Sequence, residues 1–134
     1  MPTHLLQMLP AFLAYFAVAI VLLALFLLVY LNVTPYAELA LIRAGNIAAA
    51  TSLSGALLGF AMPVANVIAH SDTLIGLAVW GAVAGVIQIL AYLVIRFALP
   101  QLTQDIPAGR MAPAILLAVV SLTVGLINAA CMTY

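Results

Sequence analysis

The sequence predicts an all-α fold, a four-span transmembrane helical bundle in a single polytopic domain over residues 1–134. Three observations predict it. Only six side chains carry a formal charge (Glu38, Arg43, Asp72, Arg96, Asp105 and Arg110), and none interrupts a long apolar run. The runs between them reach about 20 residues or more, the length a helix needs to cross the hydrocarbon core of a bilayer. Hydrophobic residues make up 69% of the chain, with mean hydropathy +1.37. Too few polar side chains remain to build a water-facing exterior.

The spans are expected at about 10–31, 47–69, 74–99 and 111–132. Each must be helical, because backbone groups in lipid have to be satisfied within the segment. The first span is almost uniformly bulky from Val21 to Val29 and has no polar stripe. It belongs at the periphery, with Tyr15 and Tyr30 near the two interfaces. The first connection, Pro35 to Ala44, mixes Tyr36, Leu39, Leu41 and Ile42 with Glu38 and Arg43. That mixture suits a short helix lying at the interface with its apolar side in lipid. Thr34-Pro35 starts it and Gly45 ends it. In the second connection, His70-Ser71-Asp72-Thr73 is a tight polar turn in which Asp72 or Ser71 caps the third span. Pro100, Pro107 and Gly109 separate the third span from the fourth.

All three arginines lie in or beside the first and third connections, and the second connection and both tails have none. The positive-inside rule then puts those two connections in the cytoplasm and both termini in the periplasm. A short internal likeness accompanies this topology. Ala44-Gly45-Asn46-Ile47-Ala48 parallels Ala108-Gly109-Arg110-Met111-Ala112. Two-span repeats return the chain to its starting side, so the halves would be parallel, related about the membrane normal.

Three spans carry small and polar residues at steps of three and four, which share one helical face. In the second span these are Ala48, Ser52, Gly55, Gly59, Met62, Asn66 and His70. In the third they are Gly81, Gly85, Gln88, Tyr92 and Arg96. In the fourth they are Ala114, Ala118, Ser121, Gly125 and Asn128. Small residues let helix backbones approach closely, so Ser52, Gly55, Gly59, Gly81, Gly85, Ser121 and Gly125 are the expected helix-packing positions. Together they predict a core of the last three spans and a homo-oligomer through any small face left over. Pro63 removes a backbone donor and frees the Gly59 carbonyl, placing a kink between Gly59 and Asn66. The amides Asn66, Gln88 and Asn128 either bond across helices or line a polar path for a small ion or solute. Arg96 snorkels to the cytoplasmic boundary.

Several functions are excluded on this reading. Zero net charge and the lack of a basic cluster argue against nucleic acid as a partner. Cys131 is the lone cysteine, and His4 and His70 lie outside the apolar runs, so no metal site and no cofactor is expected. No carboxylate falls inside a span, which disfavours a proton-coupled exporter. No catalytic constellation is present, and the chain is read as no enzyme.

The segments Thr34 to Pro63, Val86 to Gln88 and Asn128 to Tyr134 resemble the YjfL-type bacterial inner-membrane proteins, the family of domain of unknown function 350. The matching motif positions are Pro35, Gly45, Asn46, Gly55, Gly59, Pro63, Gln88 and Asn128. The resemblance implies a small four-span protein of the bacterial inner membrane and brings no catalytic role. The expected function is therefore that of a non-enzymatic, multi-pass membrane protein. It would form a homo-oligomer or a larger assembly in the lipid bilayer. The alternative is a channel or permease for a small ion or solute.

Overall fold

A computed structural model of the chain describes residues 2–71 and 73–132, with side chains from residue 5 onward. Six helices follow in order: α1 (Pro2–Val33), α2 (Glu38–Arg43), α3 (Ile47–His70), α4 (Leu74–Ala98), α5 (Leu102–Asp105) and α6 (Met111–Cys131). Four of them, α1, α3, α4 and α6, are long and apolar enough to cross a membrane. The two short helices lie in the first and third connections.

Helix α1 starts at Pro2 rather than at Pro10, which sits inside it. An internal proline removes one backbone donor. The helix runs on through that defect. Its apolar stretch, Leu5–Val33, is 29 residues long, more than the hydrocarbon thickness requires. Such a helix tilts or projects from the bilayer.

Local chemistry sets the boundaries. Asn46 caps α3 by accepting from the Ala49 N–H at 3.0 Å. Its amide also donates to the carbonyls of Ile106 and Pro107, at 2.9 and 3.2 Å, and so ties the first connection to the third. Thr73 caps α4, accepting from the Gly76 N–H at 3.0 Å. Of the two expected caps, Ser71 instead donates to the Thr73 carbonyl, and Asp72 lies outside the described residues. Helix α2 ends in a left-handed glycine turn. Gly45 has φ 89°, its N–H donates to the Ile42 carbonyl, and the Asn46 N–H reaches the Leu41 carbonyl. The turn after α5 is built alike, with Gly109 at φ 79° donating to Ile106 and Arg110 donating to Asp105. The two A-G segments noted in the sequence thus adopt one conformation.

Two interfaces join helices of like direction, alongside the antiparallel contact of α3 with α4. Gly55 faces Ala118, Gly59 faces Ser121, and Asn66 bonds to Ala129, so α3 and α6 run parallel. Leu22 packs on Gly81 and Tyr30 on Tyr92, so α1 and α4 also run parallel. The most extensive interface is α3 with α6. Helix α3 is the most buried of the four and α1 the least. An aromatic column joins the pairs: Phe26 stacks on Phe60 with ring centroids 4.4 Å apart, and Tyr30 meets Tyr92 edge-on at 5.4 Å. Tyr30 is therefore fully buried within the bundle rather than facing lipid. It sits on the α1 face that carries Ala19 and Phe26, the buried positions of that helix.

Candidate functional site

The packing glycines are distributed over two seams. A Cβ on Gly55 would meet the Cα of Ala118 and its side chain, and one on Gly59 would meet the Ser121 carbonyl and the Gln88 amide. A Cβ on Gly125 would run into the Gly59 backbone. These three glycines let α3 and α6 touch backbone to backbone, where attraction comes from van der Waals contact. Pro63 is buried at the same level, and the Gly59 carbonyl that it frees faces Gly125. The neighbouring helix covers that carbonyl, while the Asn66 amide is engaged elsewhere. Gly81 receives the Leu22 side chain of α1. Gly85 is only half-buried, with Phe60 as its nearest neighbour. Gly81, Ala82 and Gly85 border an apolar groove of about 310 Å³ between α1 and α4, walled by Leu22, Leu25 and Phe26.

The polar positions split. Gln88 is buried and donates to the Ser121 carbonyl at 3.1 Å, while its Oε1 has no hydrogen-bond partner. Asn66 donates to the Ala129 carbonyl at 2.7 Å. Asn128 is buried and its Nδ2 has no partner. Asn66 and Asn128 share a level near the chain termini. Gln88 lies about 10 Å deeper, the rise of seven residues along α6 from Ser121 to Asn128. Ser52 is buried but bonds within its own helix, to the Ala49 carbonyl at 3.1 Å.

A second polar group collects at the opposite end, and the sequence reading missed it. Glu38, at the start of α2, is 1% exposed. It is not the water-facing side of an interfacial helix, although Leu39 on the same helix is exposed. Around it stand Tyr30 from α1, Tyr36 from the first connection and Tyr92 from α4, all three within electrostatic reach of its carboxyl. Both carboxyl oxygens and all three hydroxyls are buried without a partner in hydrogen-bonding geometry. Tyr36 and Tyr92 are close enough to influence each other, yet neither hydroxyl meets that geometry. Burial pushes the Glu38 carboxyl up to about 8. Burial first, then the Glu38 charge, raises the Tyr36 hydroxyl well above its ordinary value. The Arg96 charge opposes that rise. The overlooked signal was a carboxylate in a connection rich in large apolar residues, two positions after one tyrosine and eight after another.

Other chemistry is sparse. Arg110 and Asp105 approach to 3.6 Å in the third connection. Among the described residues, no group of three His, Cys, Asp or Glu side chains could hold a metal ion.

These features define a multi-pass helical membrane protein with a glycine-packed core and buried polar groups at two depths. The chain belongs to the family described as Domain of Unknown Function (DUF350), whose model matches residues 4–132. It is 34% identical to the UPF0719 inner membrane protein YjfL of Escherichia coli K12 over 131 residues, covering 98% of this chain and 99% of that protein. YjfL of Escherichia coli O157:H7 gives the same identity and coverage. The UPF0719 transmembrane protein YshE of Bacillus subtilis 168 is 33% identical over 92 residues, 69% of each chain. No solved structure matches the chain.

Proposed function

We propose that the chain is a non-enzymatic component of the bacterial inner membrane that assembles with copies of itself. The location follows that of its YjfL relatives, which are named as inner membrane proteins. One observation carries the assembly reading. Gly55, Gly59, Gly81 and Gly125 are occupied inside the protomer, whereas Ala82 and Gly85 border an open groove on the membrane face. A groove with a small-residue floor admits a side chain ridge from a second helix at close range. Ala82 is exposed there, so Ala82→Phe fills the groove without entering the core. The wild-type chain in lipid nanodiscs is expected to contain more than one copy by mass or single-molecule photobleaching, and Ala82→Phe to be monomeric with unchanged helicity. A monomeric wild-type protein would refute the assembly reading.

A second reading, passage or binding of a small ion or solute, is supported by the unpartnered Gln88 Oε1 and Asn128 Nδ2. Buried polar atoms without partners in a membrane core are costly, and function is a common reason for retaining them.

A further inference from the structure

We propose that Glu38, with the hydroxyls of Tyr30, Tyr36 and Tyr92, forms a buried binding site for one monovalent cation, either a proton or an alkali-metal ion. Five oxygen atoms from four side chains lie within electrostatic reach of one another, and none has a partner in hydrogen-bonding geometry. Glu38, Tyr30 and Tyr92 are essentially inaccessible, at 1%, 0% and 0% exposure. Carboxyl and hydroxyl oxygens are hard ligands, suited to a proton or a hard metal ion rather than to a soft one. An isolated buried carboxylate is strongly disfavoured, so the group must either bind a cation or find donors.

The charge balance selects a single positive charge. Glu38 is the only carboxylate of the cluster. Arg96 on α4 acts on Tyr36 and Tyr92 but not on the carboxyl itself, so it leaves the Glu38 charge to be neutralised while opposing any second positive charge. A divalent ion would leave excess positive charge in a buried site. Helix α3 also packs against α2 but adds no titratable group at this end, its His70 lying at the far terminus. Arg43 on α2 is exposed, and the Asp105–Arg110 pair lies in the third connection. The groups that set the occupancy are therefore Glu38, the three tyrosines and Arg96.

The chain has three side-chain carboxyls, Glu38, Asp72 and Asp105, which makes the site readable by infrared spectroscopy. The full chain is titrated in a detergent lacking ester groups, with N-methylglucamine as the bulk cation, and the protonated-carboxyl C=O band is followed. The band is expected to persist at neutral pH, to disappear with a midpoint near 8, and to be missing from Glu38→Gln. The double variant Asp72→Asn with Asp105→Asn should keep it, which preserves the assignment if Glu38→Gln does not fold. Added sodium or potassium distinguishes the two occupants. A midpoint that falls with salt identifies the alkali ion as a competitor, with choline as the control for ionic strength. A midpoint indifferent to salt identifies the proton alone. A band that titrates only in the ordinary carboxylate range and ignores both ions would overturn the proposal. So would a high-midpoint band that survives in folded Glu38→Gln.

Discussion

At the scale of single residues, the polar atoms are few enough to be followed one by one. Asn66 and Asn46 bond across elements, and Ser52 bonds within its helix. Gln88 is half satisfied, through one donor to Ser121. The transport reading turns on that residue. Gln88→Leu keeps similar bulk and removes both the bond to α6 and the unpartnered oxygen. The transport reading predicts that vesicles with wild-type protein leak a small cation or neutral solute faster than empty vesicles, and that Gln88→Leu abolishes the difference while the protein stays folded. Equal leakage from empty and protein-containing vesicles would exclude passage through the bundle. The three amides were legible from the sequence because polar side chains are conspicuous in an apolar run. Glu38 was not, because an acid in a connection is ordinarily solvated, and only the fold shows that tyrosines from α1 and α4 cover it.

At the scale of elements, the α3–α6 seam depends on the absence of side chains. A methyl group on Gly125 meets backbone atoms of Gly59, which cannot rotate away. A methyl on Gly85 meets nothing nearer than the Phe60 ring, at 3.4 Å, which is ordinary contact. Gly125→Ala should therefore destabilise the bundle by about 1–3 kcal/mol, the usual range for overpacking a tight core. Gly85→Ala should cost well under about 1 kcal/mol. Reversible unfolding in mixed micelles measures both, and equal losses would contradict the seam geometry. The buried face of α6 was legible except for Leu117: Ala114, Ala118, Ser121, Gly125 and Asn128 are all buried. The face of α3 was legible in part. Met62 is half-buried and His70 exposed, whereas Phe60, Val64 and Val67 are buried. Small residues mark where one helix touches another closely. Large apolar residues carry no such signal when lipid and protein interior are equally apolar. The same absence of contrast hid the burial of Tyr30.

At the scale of the molecule, composition and run length made four membrane-capable helices legible, and the described residues contain four. That the last three spans pack on one another with the first outermost was legible too; which two of them pack closest was not. Consecutive spans would suggest simple hairpins, yet the widest interface joins α3 to α6 and the aromatic column joins α1 to α4. Partner choice follows from steric fit between a glycine on one helix and a backbone on another. A sequence names the glycine but not the partner. The arrangement places Asn46 against the third connection, with Thr73 and the Cys131 end of α6 at the other end. Cysteine accessibility measures this directly. In a Cys131→Ser background, Ala44→Cys and Ala108→Cys should react only from the cytoplasmic side of intact cells and inverted vesicles, and Thr73→Cys only from the periplasmic side. Labelling of Ala44→Cys and Thr73→Cys from the same side would contradict a four-span bundle.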